Sequence, residues 1–247
     1  MPDSDAIEEA VRSRYAAAAA AAAGCCDVAE GFGADGNEVY GAARYDTADL
    51  DGLPAQAVAA SIGCANPVAL ADLHAGETVL DLGSGGGIDV LLSAQRIGPR
   101  GKAYGVDMTA EMLDLARANR RRAGVDNAEF LDGRIDAVPL PDEVIDVIVS
   151  NCVINLSPDK TAVFAEAFRL LQPGGRLVVA DVAADIAVDD ASRDDLGAWA
   201  GCIAGAITRD DYRSILDDVG FTAVTIEDSH RVEDGFTSVI IRAVRPR

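Results

Sequence analysis

The sequence Thr78-Val79-Leu80-Asp81-Leu82-Gly83-Ser84-Gly85-Gly86-Gly87 joins a short apolar run to a cluster of glycines. Residues 78–82 predict a buried strand, and the periodic apolar residues of 88–96 predict a helix after the glycines. Glycines between a strand and a helix let the backbone turn tightly and approach a ligand closely. The stretch therefore predicts a strand–loop–helix unit with a ligand site at its turn.

Strands and helices alternate along the chain after this unit. Helical periodicity predicts helices at residues 110–123 and 160–171, the second ended by Pro173-Gly174-Gly175. Apolar runs predict further strands at residues 101–106, 128–131, 144–149 and 176–182. This alternation predicts an α/β fold, in which helices cover both faces of a parallel sheet.

The C-terminal part predicts two helices and then two strands. Residues 190–204 predict a helix that carries Cys202, and residues 208–219 a second helix with Thr208 as N-cap and Gly220 as its stop. The strands, which we expect to pair antiparallel at the sheet edge, are residues 221–226 and 236–243. The whole chain then divides into a helical and flexible segment, a ligand-binding core and a C-terminal part that completes the sheet, at residues 1–60, 61–185 and 186–247.

Charge and composition limit the classes of partner. The 247-residue chain has a formal net charge of −20, which argues against binding to nucleic acid or anionic membranes. It has no run of about 18 uncharged apolar residues, so we expect no transmembrane helix. We also expect a cytoplasmic protein and a monomer. Strong acidity with Lys102 and Lys160 as the lysines predicts a halophilic, salt-adapted protein; an ordinary acidic protein from a GC-rich genome is the alternative.

The glycine loop has the spacing Asp81-x-Gly83-x-Gly85-x-Gly87, which differs from the G-x-G-x-x-G pattern of dinucleotide sites. The loop carries no lysine, which excludes a phosphate-binding P-loop. An acidic residue at its start would repel a pyrophosphate and suits a cationic, amino-acid-bearing ligand such as S-adenosylmethionine. A dinucleotide-dependent dehydrogenase is the alternative.

Two later strand ends support a nucleoside ligand. Asp107 ends the second predicted strand, where a carboxylate can accept hydrogen bonds from both ribose hydroxyls. Asp132 and Ile135 follow the third strand, where we expect the adenine ring. The sequence therefore predicts one nucleoside site across three strands.

The cysteines are the most unusual chemical feature. Cys152, in Asn151-Cys152-Val153-Ile154-Asn155-Leu156, follows the strand at residues 144–149, at the edge where such sheets present a substrate. Cys64 and Cys202 are well separated in sequence but are expected to converge on the same edge. An odd number of cysteines without a CxxC pair favours neither a disulfide framework nor a structural zinc site. Buried, inert thiols are the alternative.

The chain resembles known families at two levels. The glycine loop, Asp107 and the turn Gln172-Pro173-Gly174-Gly175 resemble class I S-adenosylmethionine-dependent methyltransferases over about residues 78–182. That resemblance implies a Rossmann-like, seven-stranded, mostly parallel sheet with an antiparallel C-terminal edge hairpin. From about residue 40 to residue 221 the chain looks more closely like arsenite methyltransferases, on Ser61-Ile62-Gly63-Cys64-Ala65-Asn66-Pro67, Gly105-Val106-Asp107-Met108-Thr109, Ser150-Asn151-Cys152-Val153-Ile154-Asn155-Leu156-Ser157 and Gly201-Cys202-Ile203-Ala204-Gly205-Ala206.

The closer resemblance implies a substrate and its ligands. Cys64, Cys152 and Cys202 would hold As(III), a soft thiophile, and leave its lone pair free to attack a sulfonium methyl group. A thiol reductant, of the thioredoxin or glutathione type, would keep these thiols reduced. The residues implied to bind S-adenosylmethionine are Asp81, Gly83, Ser84, Gly85, Gly87, Asp107, Met108, Asp132, Ile135 and Asn151.

Two departures and two alternatives remain open. Ala65 replaces a glycine of the family pattern and would be strained at positive φ. Cys25 and Cys26 either take part in redox cycling with the site thiols or have no such task. A methyltransferase of a quinone or sterol-like molecule would leave the three cysteines unexplained, and a non-catalytic arsenic-binding protein would not need the glycine loop.

Overall fold

The structure, a computed structural model, describes residues 3–23, 40–189 and 193–247. Its strands are β1 Thr78–Leu82, β2 Lys102–Asp107, β3 Ala128–Asp132, β4 Ile145–Asn151, β5 Leu171–Ala184, β6 Ile207–Thr208, β7 Thr222–Glu233 and β8 Phe236–Val244. They form one sheet in the order β3-β2-β1-β4-β5-β8-β7, with the short β6 paired to β5. Strands β1 to β5 run parallel, and β8 runs antiparallel to both β5 and β7. The predicted α/β fold with an antiparallel edge hairpin is confirmed.

Helices cover both faces of this sheet. The α-helices are α1 Ser4–Ala23, α2 Thr47–Leu50, α3 Ala55–Ala59, α4 Pro67–Leu70, α5 Ile88–Ile97, α6 Ala110–Ala123, α7 Lys160–Leu170, α8 Leu196–Ala200 and α9 Arg209–Val219; short 3-10 turns span Ala42–Arg44 and Ile154–Leu156. Along β4, Val147 and Val149 pack in the core shared with α1, α5 and α6, whereas Ile148 packs in the core shared with α7 and α9. Because both faces are buried here, the middle of the strand, residues 147–149, reads as a continuous apolar run.

Helix α9 has the termini that its sequence predicts. Thr208 and Asp211 form a capping box, in which each side chain meets the backbone of the other residue. Gly220 takes φ 110° and ends the helix in the left-handed conformation that favours glycine. The helix thereby fixes Tyr212 against the sheet, fully buried.

The helix predicted for residues 190–204 is wrong for much of its described part, because helix α8 covers only Leu196–Ala200 within residues 193–204. Residues 190–192 lie outside the described residues. The Asp195 side chain accepts hydrogen bonds from Gly197 N and Ala198 N and so begins the helix late. Cys202 takes φ 67°, which no α-helix can contain, and so lies in the turn that follows. Strand β5 also begins earlier than predicted, at Leu171.

Three other expectations concern the N-terminal part and the membrane. Helix α1 spans 20 residues and packs on α6 and α8. Cys25 and Cys26 lie outside the described residues. None of the described helices has the length and apolarity that crossing a membrane requires.

Candidate functional site

Two adjoining cavities open at the carboxyl ends of the parallel strands, the edge where such sheets bind ligands. The larger, about 650 Å³ including its open mouth, is bordered by Gly83, Gly85, Asp107, Met108 and Ile135. The smaller, about 450 Å³, is bordered by Asp81, Ser84, Gly86 and Asn151. Tyr15, Gly83, Gly85 and Val153 border both cavities, which therefore form one elongated cleft.

The glycine loop forms the floor of this cleft. Gly83 and Gly87 take φ 75° and 90°, a region that L side chains rarely adopt. A Cβ atom at Gly83 would overlap the Val153 side chain, and one at Gly87 would lie 2.8 Å from the Phe130 ring. The missing side chain at Gly83 thus brings the loop directly against the segment that carries Cys152, and the one at Gly87 brings it against β3.

Asp107 links the loop to the end of β2. Its Oδ2 accepts a hydrogen bond from Gly85 N at 2.9 Å, and its Oδ1 accepts one from Thr109 N at 2.8 Å. Burial raises the pKa of this carboxyl group, and the backbone hydrogen bonds oppose that rise. A carboxylate offers about four acceptor positions, so both oxygens can still accept bonds from a ligand in the larger cavity.

The smaller cavity is acidic. Asp81 is 3% exposed, and its Oδ1 has no hydrogen-bond partner among the described residues. Burial raises the Asp81 pKa well above its usual range, and the charges of Asp89 and Asp107 raise it further. An unpartnered carboxylate oxygen in a buried acidic pocket favours a cationic group such as an ammonium. These carboxylate acceptors therefore fit the ammonium group at the amino-acid end of S-adenosylmethionine.

The structure brings the three predicted cysteines together. Cys64, Cys152 and Cys202 are buried, at 0%, 2% and 5% exposure, and none is in a disulfide. The Cys202 Sγ donates a hydrogen bond to the Cys152 carbonyl oxygen at 3.2 Å. Burial raises the pKa of the Cys152 thiol, and its hydrogen bonds with the thiols of Cys202 and Cys64 raise it further. Cys152 therefore lies at the centre of a three-thiol cluster.

Two of these cysteines have unusual backbones. Cys152 and Cys202 take φ 57° and 67°, in the left-handed region that residues other than glycine seldom occupy. Such conformations cost about 1–3 kcal/mol each and concentrate at functional sites. Ala65 has no positive φ, so its replacement of a family glycine introduces no backbone strain.

The thiol cluster is not a preformed metal cage. Within residues 3–23, 40–189 and 193–247, no three Cys, His, Asp or Glu side chains have the arrangement that holds a metal ion. Binding of one atom by all three thiols would therefore require their side chains to reorient.

Two predicted cofactor residues have other surroundings than expected. Asp132 ends β3 as an exposed residue and borders neither cavity, whereas residues 133–136 beyond it do. The Asn151 amide borders the smaller cavity but bonds within the protein, to Ala65, Tyr45 and Asp89 among others. A cofactor contact from either residue stays a prediction.

Helix α1 contributes residues to the cleft that were not predicted from the sequence. Glu8, Val11 and Tyr15 border the larger cavity. Glu8 forms an ion pair with Arg134, which borders the same cavity. Burial raises the pKa of Tyr15, as do the adjacent Cys202 and Cys152. The spacing of Ile7, Val11 and Tyr15 indicates a buried helical face, but the alanines after it obscured the pattern.

The chain is similar in sequence and in structure to known proteins. A family model described as a methyltransferase domain matches residues 73–220. The chain is 42% identical over 233 residues to an arsenite methyltransferase of Halobacterium salinarum, covering 91% of the chain and 59% of that protein. It is 45% identical over 163 residues to one from Aquipseudomonas alcaligenes, covering 63% of the chain and 46% of that protein. The chain therefore spans about half the length of these relatives.

A solved structure extends the match to three dimensions. The crystal structure of an arsenic (III) S-adenosylmethionine methyltransferase from Chlamydomonas reinhardtii superposes with a TM-score of 0.66 at 30% identity, over 84% of this chain and 72% of that one. Its agreement with the sheet order, the glycine loop and the sequence relatives leads to one assignment. The chain belongs to the S-adenosylmethionine-dependent methyltransferases and, among them, to the arsenite methyltransferase family.

Proposed function

We propose that this chain binds S-adenosylmethionine in the cleft and methylates As(III) held by Cys64, Cys152 and Cys202. One observation carries the proposal: three free, buried thiols from separate segments meet at Cys152, next to the cleft that Val153 borders. Inert core cysteines would have no reason to cluster at a ligand-binding edge with two of them in strained backbone conformations.

The cleft residues divide the cofactor between them in this proposal. Asp107 would accept hydrogen bonds from the ribose hydroxyls, and Asp81 would face the ammonium group. Met108 and Ile135 would pack on the adenine. The backbone at Gly83, Ser84, Gly85 and Gly87 would line the path between these groups. When bound, S-adenosylmethionine supplies a sulfonium methyl group that a lone pair, here that of arsenic, can attack.

The thiols need no separate base to bind the substrate. Arsenous acid, As(OH)3, exchanges three hydroxyl groups for three thiols, and the thiol protons leave in three molecules of water. The high pKa of Cys152 is therefore compatible with ligation, because its proton is consumed in the exchange. The residues then act by proximity and orientation, which contribute up to about 7–11 kcal/mol in favourable cases.

The proposal is tested by incubating the protein with S-adenosylmethionine, arsenite and a thiol, and by measuring methylarsenicals. Formation of methylarsenicals supports arsenic methylation. Arsenite binding without product would favour a sequestering protein, and methylation of a quinone without methylarsenicals would favour an organic substrate. Neither of these alternatives explains the glycine loop and the thiol cluster together.

Thiol reductant is expected to be required for repeated turnover. Cys152 lies within hydrogen-bonding reach of both other thiols, so oxidation would join two of them in a disulfide and remove two ligands. Thioredoxin or a glutathione-like thiol would restore the site. Product should accumulate only with added reductant; equal product in air without any thiol would contradict the expectation.

A salt-adapted cytoplasm is proposed as the setting of the protein. A net charge of −20 makes acidic side chains repel one another, and salt screens that repulsion. The free energy of unfolding is therefore expected to rise between about 0.1 M and about 2 M KCl. Denaturant unfolding at each salt concentration measures it, with sorbitol of equal osmolality as control. A free energy that stays constant with KCl would favour an ordinary acidic protein.

The remaining proposals concern assembly and division of the chain. We propose a monomer, which light scattering at several concentrations would test. We also keep the division into residues 1–60, 61–185 and 186–247, although helix α1 packs on both α6 and α8.

A further inference from the structure

We propose that Asn151 and Asn155 are positioning residues that hold the loops of Cys64 and Cys202, respectively, against Cys152. The inference rests on the proposed function, because it assigns the geometry of the thiol site to two side chains outside the ligand set. Asn151 ends β4 immediately before Cys152, and Asn155 lies three residues after Cys152 on the segment that joins β4 to α7.

Asn151 holds the Cys64 loop through both ends of its amide. Its Oδ1 accepts hydrogen bonds from Cys64 N at 2.9 Å and Ala65 N at 3.4 Å, and its Nδ2 donates to Ala65 O at 2.7 Å. A Cβ atom at Gly63 would overlap this amide, so the glycine leaves the space that the contact needs. The position of the Cys64 backbone therefore depends on Asn151.

Asn155 has the corresponding role for the turn that carries Cys202. Its Nδ2 donates to Val182 O at 2.6 Å and, at the longer distance of 3.4 Å, to Cys202 O. Its Oδ1 accepts the Tyr212 hydroxyl at 2.7 Å. A Cβ atom at Gly205 would overlap the Asn155 carbonyl oxygen, so the turn that carries Cys202 is packed tightly on this residue.

Cys152 itself is fixed to the sheet between them. Its backbone N donates to Ala180 O on β5 at 2.7 Å, and its carbonyl oxygen accepts the Cys202 thiol. The loops of Cys64 and Cys202 are thus both positioned relative to Cys152. A site of three ligands functions only when supporting residues hold all three in register.

A limited oxidation with iodine, without arsenic, tests the placement directly. Cys152 can form a disulfide with Cys64 or with Cys202 but not with both, so peptide mapping gives the ratio of these two disulfides among all the oxidation products. We expect Asn151→Ser to lower the Cys64–Cys152 fraction about fivefold or more relative to Cys152–Cys202, and Asn155→Ser to shift the ratio in the opposite direction. General loosening of the fold would not shift it in opposite directions.

Two further variants keep the test decisive. Gly63→Ala displaces the Asn151 amide without removing it, and should shift the ratio in the same direction as Asn151→Ser. Asn127→Ser is the matched control, since that amide bonds backbone carbonyls of Ala94 and Gly98 away from the thiols; it should leave the ratio unchanged. A ratio that is unchanged in both asparagine variants, or shifted the same way in both, would overturn the proposal.

A binding measurement separates this proposal from the proposed function. Trp199, the single tryptophan, is 2% exposed, and its carbonyl oxygen accepts a hydrogen bond from Cys202 N. Its fluorescence should therefore respond when arsenic binds to the Cys202 thiol. Arsenite uses three thiols and phenylarsine oxide two. Each asparagine variant should bind arsenite about tenfold or more weakly. The remaining pair of thiols should bind phenylarsine oxide with unchanged affinity. Failure of the unmodified protein to bind arsenite would count against the proposed function, whereas the disulfide ratio would still decide the roles of the asparagines.

Discussion

Replacing Cys152 with serine is expected to lower arsenic methylation at least about 100-fold while leaving the affinity for S-adenosylmethionine within about twofold. Cys152 is the residue whose thiol reaches both Cys64 and Cys202, so its loss removes the centre of the cluster. A serine hydroxyl is a hard donor that stays protonated, and it is a poor ligand for a soft thiophile. The remaining two thiols would then hold arsenic without the third bond that fixes its orientation.

The backbone conformation and hydrogen bonding at position 152 indicate that this variant folds. Serine is as compatible as cysteine with the φ of 57° at this position, and it leaves the hydrogen bond from Cys152 N to Ala180 O in place. Methylarsenical production, cofactor affinity and melting temperature should be measured together. A melting temperature near that of the unmodified protein with lost activity supports the assignment. Undiminished methylation in the variant would exclude Cys152 as an arsenic ligand.

Cys202→Ser provides the comparison within the cluster. Cys202 lies in the turn after α8, and its thiol donates a hydrogen bond to the Cys152 carbonyl oxygen. We expect this variant to lose methylation as well, while it still binds phenylarsine oxide through Cys64 and Cys152. Retention of full methylation by Cys202→Ser would reduce the site to two ligands.

The sheet was predictable because local sequence and burial agree there. Strand β1 and helix α6 have the predicted bounds, since an apolar run between glycines defines the strand and Gly124 in the left-handed conformation ends the helix. The convergence of the cysteines followed from the topology of parallel strands and from family resemblance. Its geometry, with left-handed Cys152 and Cys202, has no signature in residue type, because nothing in a cysteine indicates positive φ.

Long-range contacts account for what the sequence analysis missed. Residues 190–204 are compatible with a helix throughout, yet the Asp195 cap and the turn at Cys202 restrict α8 to five residues. The amide of Asn151 bonds a loop far away in the chain, which only the folded structure reveals. Helix α1 has a recognisable apolar face, but periodicity does not state which surface it will cover.

Replacing Asp107 with alanine is expected to weaken S-adenosylmethionine binding at least about 100-fold. The change removes the acceptors proposed for two ribose hydroxyls, and a hydrogen bond to a charged group contributes about 1.5–3 kcal/mol. Two such bonds correspond to a loss of about 10²-fold or more. The glycine loop also loses a support, because Gly85 N and Thr109 N both donate to this carboxylate. Isothermal titration calorimetry with S-adenosylmethionine measures the change.

Asp132→Ala provides the comparison for that measurement and tests the predicted contact between Asp132 and the cofactor at the same time. Asp132 pairs in register with Asp107 on the neighbouring strand and ends at the same edge of the sheet, but it is exposed and borders neither cavity. The two variants remove the same charge from the same side of the molecule, so long-range electrostatics affect both similarly. We expect Asp132→Ala to change the affinity less than about threefold, as exposed substitutions usually do. Equal losses in the two variants would mean either that Asp132 also contacts the cofactor or that overall charge, and not the hydrogen bonds of Asp107, holds it.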